Sequence, residues 1–223
     1  MKLYYMYHED FIDMRNLLIS NTKDQFELIE IKIESPKFNE FTPNTEKFGG
    51  GIDVWKSRVN NILNIINENM DNTPFIFSDI DIVFYKPIMP TINSLIERND
   101  ILFLRELIDG VQEGQGGNIN FGFNIIRSNQ KTYNFFSDVM NELEKTNGWE
   151  QMIINKFLYK ENNYNLNWEL LPPTFLSTSV GLHNIDKNII LYHANCALTK
   201  EDKFNLINRV NNIVLQTSSM PDQ

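Results

Sequence analysis

Asp79-Ile80-Asp81 is the group in this chain whose residue types and spacing most readily do chemistry. The pair closes Pro74-Phe-Ile-Phe-Ser, the most apolar short run of the sequence, and a second apolar run, Ile82 to Tyr85, follows at once. Two carboxylates beside a buried strand are costly unless donors or a cation compensate them. They could cap a strand-to-turn junction. They could also hold a hard divalent ion, octahedral Mg²⁺ or Mn²⁺, through carboxylate and phosphate oxygens. Asp-x-Asp spacing is common by itself; its place at the end of a core strand favours the ion.

The elements that must position this pair can be read from periodicity. Leu3 to Tyr7 reads as a strand, and Asp10 to Ile19 as a helix with Phe11, Met14, Leu17 and Leu18 on one face. Phe26 to Ile33 alternates as an edge strand does, and Val54 to Asn67 is a helix burying Val59, Ile62, Leu63 and Ile66. Pro74 to Ser78 is a short apolar run, the pattern of a strand covered on both faces. Beyond the acidic pair come a strand over Ile82–Tyr85, a helix over Thr91–Glu97 and a strand over Ile101–Leu104. A glycine-containing loop over Asp109–Asn118 and a strand over Asn120–Ile126 follow. Helices over Gln130–Glu144 and Glu150–Leu158, strands over Leu166–Leu171 and Ile189–Tyr192, and an amphipathic tail over Lys200–Leu215 complete the chain. This alternation predicts one three-layer α/β domain with a mostly parallel central sheet flanked by helices. Sites in such sheets lie beyond the carboxyl ends of strands, which is where Asp79, Asp81 and His193 fall.

Composition narrows the function. The 223 residues are 42% hydrophobic and 22% charged, ordinary for a globular domain. A net charge of −9, a pI near 4.9 and the lack of any Lys/Arg block argue against a nucleic-acid partner. An acidic protein can still bind an anionic nucleotide if a divalent cation supplies local positive charge. The single cysteine, Cys196, excludes an intrachain disulfide. Met1-Lys-Leu-Tyr-Tyr-Met-Tyr reads as a first strand, its apolar stretch too short for a signal segment, and no run in the sequence approaches the roughly 18 apolar residues of a membrane span. A cytoplasmic location is the expectation. Gly49-Gly50-Gly51 lacks the Lys-Ser/Thr of a phosphate loop and reads as a connecting loop.

Phe75-Ile-Phe-Ser-Asp-Ile-Asp-Ile-Val-Phe-Tyr-Lys-Pro resembles the DXD segment of GT-A-fold glycosyltransferases, in particular the nucleotide-diphospho-sugar transferase family. Asn120-Phe-Gly-Phe-Asn-Ile-Ile-Arg-Ser is similar to that family's Asn-x-Gly-Phe strand, Trp149-Glu-Gln-Met-Ile-Ile-Asn to its Asp-Gln element, and His193-Ala-Asn to its closing histidine. The four occur in the family's order between about Lys2 and Lys200. The resemblance implies a single GT-A, Rossmann-like domain. Residues 1–118 would form the nucleotide and metal half, 119–199 the donor-sugar and acceptor half, and 200–223 a terminal helix and tail. It implies Mn²⁺ or Mg²⁺ on Asp79, Asp81 and His193, bridging the diphosphate of a UDP- or GDP-sugar, with Asp79 also placed for the ribose. Lys200, with Lys203 as the alternative, would grip the β-phosphate. Asn120 would bind the transferred sugar, and Lys56 or Arg58 would reach the donor. Glu150 and Gln151 would lie near the anomeric carbon or acceptor, although Glu150 replaces the family's aspartate with a longer arm.

Retention of configuration is the implied outcome, by front-face displacement in which the leaving phosphate oxygen takes the acceptor proton. An inverting route would need a carboxylate base, for which Glu150 and Glu113 are candidates. The acceptor, a glycan or other hydroxyl compound, would be met by variable loops. Those are Asp109–Asn118 and Asn162–Ser179, and Trp168, Pro172, Pro173 and Phe175 of the latter suit either sugar stacking or core packing. Two alternatives share the sequence pattern. One is a haloacid-dehalogenase-like phosphohydrolase, whose nucleophilic aspartate usually lies in the first strand. The other is a non-catalytic protein binding nucleotide-sugar or glycan on the same fold.

Overall fold

Strands buried on both faces and helices with one apolar stripe are reconciled by stacking helices on each side of a sheet. The computed structural model has this arrangement, and describes residues 1–22, 25–34, 51–106, 119–160, 163–178, 185–195, 197 and 199–215. The expected loop Asp109–Asn118 with Glu113, most of the Pro36–Gly51 loop, and Cys196 lie outside the described residues.

The strands are β1 (Lys2–Tyr7), β2 (Glu27–Lys32), β3 (Pro74–Ser78), β4 (Ile82–Phe84), β5 (Ile101–Glu106), β6 (Ile119–Arg127), β7 (Trp168–Leu170), β8 (Phe175–Ser177) and β9 (Leu191–His193). The helices are α1 (Ile12–Thr22, entered through a 3-10 turn at Glu9–Phe11), α2 (Ile52–Glu68), α3 (Met89–Arg98), α4 (Gln130–Thr146), α5 (Glu150–Lys160) and α6 (Lys200–Leu215). Periodicity anticipated all of these but β8, a three-residue run too short to alternate. Helix α4 starts where Asn129 and Thr132 satisfy each other's backbone N–H groups, and stops at Asn147, whose φ of 48° ends the helix in the left-handed region asparagine tolerates.

The strands form one sheet in the order β2-β1-β3-β6-β5-β8-β9-β4, with β7 also pairing β5. Among the described residues, the β1–β2, β1–β3, β5–β7, β5–β8 and β8–β9 pairings are parallel. Those of β3 and β5 with β6, and of β4 with β9, are antiparallel. The sheet is thus mostly parallel, as expected. Side chains alternate between two cores. Phe75, Phe77, Ile101 and Phe103 face a cluster with Val59 and Ile62 of α2, Phe135 and Phe136 of α4 and Ile154 of α5. Ile76, Leu102 and Leu104 face the opposite cluster with Leu18 of α1 and Ile92 of α3. Of the aromatics in the expected acceptor loop, Phe175 is in that second core, and Trp168 packs edge-on against Phe103 and Tyr159.

Two irregularities shape the site. Only Asp79, Ile80 and Asp81 separate β3 from β4, yet the two strands stand third and eighth in the sheet order. The sheet must curl until its far edge meets its centre, and the acidic pair is the joint. The second lies in β6: Phe103 of β5 pairs with Asn124 but Leu104 pairs with Asn120, so Phe121, Gly122 and Phe123 bulge from the ladder. No helix among the described residues is long and apolar enough to cross a membrane.

At the opposite end of β6, Arg127 clasps the exit of α3. Its Nε donates to the carbonyls of Ile96 and Asn99, both at 3.0 Å, and its Nη1 to the Asn72 carbonyl at 3.1 Å. Arg127→Ala is expected to lower unfolding free energy by about 1–3 kcal/mol in urea titrations, because it strands buried carbonyls. A loss below about 0.5 kcal/mol, ordinary for a surface change, would show that the clasp contributes little.

Candidate metal and donor site

The carboxyl ends of β3 and β9 and the start of β4 meet at one point. Ile82 is registered opposite His193, and the Ala194 N–H donates to the Asp81 carbonyl at 3.0 Å, so Asp81 and His193 are held side by side. The Asp79 N–H donates to the carbonyl of Gly122, in the β6 bulge, at 2.7 Å. His193 Nε2 lies 3.2 Å from Asp81 Oδ1 and 3.6 Å from Asp79 Oδ2. One ligand atom from each of the three lies within 4.8 Å of the others. The outer carboxylate oxygens are already engaged: Asp79 Oδ1 by the Arg58 guanidinium and Asp81 Oδ2 by the Lys203 ammonium. Asp81 and His193 are buried, while the Asp79 side chain keeps 26% of its exposure and marks the open side.

Burial makes the site electrostatically tense. It pushes the Asp79 carboxyl up, with Arg58 pulling the other way. At Asp81 burial acts in the same sense but loses to Lys203 and His193, which hold that carboxyl well below the usual range. Glu150, 1% exposed at the start of α5, accepts from Arg58 Nη1 at 3.0 Å. Burial raises its carboxyl to about 7, with Arg58 opposing. Its Oε2 has no hydrogen-bond partner among the described residues. Arg58 therefore bridges Asp79 and Glu150 from α2, with its guanidinium 5.8 Å from the centre of the Phe121 ring.

The structure brings most of the residues singled out by sequence to this point. Gln151 has both ends of its amide held: Oε1 accepts from the Phe121 N–H at 3.1 Å and Nε2 donates to Glu106 at 2.6 Å. Asn120 Oδ1 accepts from the Gly122 N–H at 2.9 Å and lies 3.1 Å from His193 Nδ1. Lys56 instead reaches the Asn147 side chain at 3.4 Å. Lys200 pairs with Asp13 at 3.2 Å and with the Asp10 carbonyl, tying α6 to α1. It is Lys203, the alternative, that enters the cluster.

Sequence reasoning missed two contributors, Ser177 and Glu106. Ser177 Oγ is 3.1 Å from His193 Nδ1. Glu106, pushed up by burial, takes Gln151 on one oxygen and the Asn195 amide, at 3.0 Å, on the other. Glu106, Ser177 and His193 stand abreast in register across β5, β8 and β9. Only the unforeseen β8 makes that row, so spacing along the chain carries no sign of it.

Two carboxylates and an imidazole that each bring one atom to a common point, with the opposing carboxylate oxygens already neutralised, form a donor set suited to a divalent cation. Gly122 fits this reading, because a Cβ there would sit 2.2 Å from His193 Cε1. A curled α/β sheet with an Asp-x-Asp joint and a histidine at its carboxyl edge defines a GT-A type of domain. The model of the nucleotide-diphospho-sugar transferase family matches residues 28–207, and the chain belongs to that family of glycosyltransferases.

Solved structures show the same fold. One is a glycosyltransferase involved in glycosylation of the major capsid of PBCV-1, at 12% identity and TM-score 0.62, covering 93% of this chain and 98% of that one. Another is the galactosyltransferase LgtC in complex with donor and acceptor sugar analogs, at 11% identity and TM-score 0.55, covering 95% and 96%. Mouse xyloside xylosyltransferase 1 matches at 12% identity and TM-score 0.55, covering 88% and 98%. At these identities the likeness is one of fold. Among curated protein sequences none matches. The family removes the phosphohydrolase alternative, and it is a family of enzymes rather than of binding modules.

Gly122→Ala should displace the His193 ring. The expected result is at least about a tenfold loss of Mn²⁺ affinity, as when a ligand's support is removed, with the far-ultraviolet circular dichroism spectrum unchanged. Wild-type affinity in the variant would show that the ring has room to spare.

Proposed function

We propose that this enzyme moves a sugar from a UDP- or GDP-sugar to a hydroxyl acceptor, with Mn²⁺ or Mg²⁺ held by Asp79, Asp81 and His193. The observation that carries this reading is the convergence of Asp79 Oδ2, Asp81 Oδ1 and His193 Nε2, while Arg58 and Lys203 occupy the outer oxygens. The nitrogen in the donor set favours Mn²⁺ over Mg²⁺, which prefers oxygens throughout. When bound, the cation supplies Lewis-acid stabilisation of the charge that builds on the departing diphosphate.

The chain's own residues have roles in this scheme. Asp79, on the open side, faces the donor and can also meet its ribose. Lys203, already at the cluster, is placed better than Lys200 to meet the β-phosphate. Arg58 bridges Asp79 to Glu150 and can follow the donor between them. Gln151 and Asn120, beside the cluster, would meet the transferred sugar. Retention is the outcome carried over from the family resemblance. Glu150 is held on one oxygen by Arg58 and Gln151 is a neutral amide held at both ends, an arrangement suited to positioning the donor and acceptor. The acceptor proton then passes to the leaving phosphate oxygen, and positioning supplies much of the rate. That the LgtC structure holds donor and acceptor sugar analogs together is consistent with a fold that presents both to one site.

Calorimetric titration of UDP and GDP, each with and without Mn²⁺, tests this reading. One nucleotide should bind at least about tenfold more tightly with Mn²⁺, a coupling of about 1.4 kcal/mol, and Asp81→Ala should abolish that gain. Equal affinity with and without the cation would contradict it.

A further inference from the structure

His193 offers two nitrogens, and only one can face the acidic pair. The hydrogen bonds behind the ring decide which. Asn120 Oδ1 accepts the Gly122 N–H at 2.9 Å. A backbone N–H can only donate, so the atom facing it is the amide oxygen and not the amide nitrogen. The same oxygen lies 3.1 Å from His193 Nδ1. It can only accept there too, so the proton between them is on Nδ1. Ser177 Oγ, also 3.1 Å from Nδ1, takes a second branch of that N–H through a lone pair.

We infer that Asn120, with Ser177, is a positioning residue that keeps the proton of His193 on Nδ1, so that Nε2 is the nitrogen presented to a divalent cation between Asp79 and Asp81. The inference rests on the cation reading above, and it gives Asn120 a duty beyond the expected sugar contact. Three features make the arrangement specific. The irregular stretch of β6 holds Asn120 and Gly122 two residues apart, where the Gly122 N–H meets the Asn120 side chain. Gly122 lets that backbone approach the ring so closely that a Cβ there would sit 2.2 Å from Cε1 and 2.7 Å from Nδ1. The pairing of Ser177 with His193 across two parallel strands fixes the hydroxyl at the level of the ring. Imidazole ligands commonly donate their second N–H to an oxygen, and losing that partner weakens metal affinity about 10–100-fold.

The test uses the full chain with ¹⁵N-labelled histidine, of which there are three, and His193→Ala to assign the resonance. In wild-type protein loaded with diamagnetic Mg²⁺, the His193 proton should be found on Nδ1; in the metal-free protein, where Nε2 also faces the Asp81 carboxylate at 3.2 Å, Nδ1 should stay protonated while Nε2 carries the proton that the cation displaces. Asn120→Ala should lose this preference and bind Mn²⁺, followed by its electron paramagnetic resonance signal, about 10–100-fold more weakly. Asn120→Asp keeps the acceptor oxygen and should restore binding to within a few-fold. Ser177→Ala should give a smaller loss. A wild-type ring that carries no Nδ1 proton would overturn the inference, even if every variant failed to fold. Undiminished Mn²⁺ affinity in Asn120→Ala would also overturn it. If wild-type protein binds no Mn²⁺ while Nδ1 is protonated as expected, the cation reading fails and the clamp on the ring stands.

Discussion

The joint between β3 and β4 is the constraint on which the rest of the structure depends. Three residues must carry the chain from the third to the eighth position of the sheet. Two of them are aspartates that burial would prefer neutral. Every nearby element answers this demand. Helix α2 sends Arg58 to Asp79, α6 sends Lys203 to Asp81, and β9 brings His193 between the two carboxylates. Removing one cation would leave a buried charge uncompensated, a change that typically costs about 3–5 kcal/mol. The same arrangement keeps two carboxylate oxygens and one ring nitrogen aimed at a common point. The curl of the sheet and the chemistry of the site are therefore one feature.

The bulge in β6 is the second half of the device. A regular strand would point Asn120 and Gly122 to one face and Phe121 to the other, each opposite a partner on β5. Breaking the ladder frees these backbone groups for other partners. The Phe121 N–H goes to Gln151, the Gly122 N–H to Asn120 and the Gly122 carbonyl to Asp79. Through these bonds, and through Asn120 to His193, α5, β9 and the acidic joint are registered on one short segment. Gln151 continues the chain of contacts to Glu106 and Asn195, so the polar side of the site is a connected network.

Much of this was legible in the sequence because it rests on local pattern. Pro74 to Ser78 reads as a doubly buried strand from its composition alone, and an abrupt change to Asp-Ile-Asp is visible against it. The stripes of α2 and α4 follow from spacings of three and four. The rest depends on tertiary proximity. Lys200 and Lys203 differ by less than a turn of one helix, and nothing local says that α1 will present Asp13 to the first and leave Asp81 to the second. Glu106 is one step beyond a strand whose end cannot be set from hydrophobicity. Ser177 sits on a strand of three residues that only pairing with β5 and β9 makes a strand. Asn120 was visible as part of a motif, but its hydrogen bond to His193, 73 positions away, was not.

The central claim is that Asp79, Asp81 and His193 form a single cation site at the joint of the sheet. An electron paramagnetic resonance titration of Mn²⁺ into wild-type protein, Asp79→Asn and His193→Ala tests it most directly. One tight site per chain in the wild type, weakened at least about tenfold in each variant while all three melt cooperatively, is the predicted result. Equal binding by wild type and both variants, or no saturable site in the wild type, would contradict it.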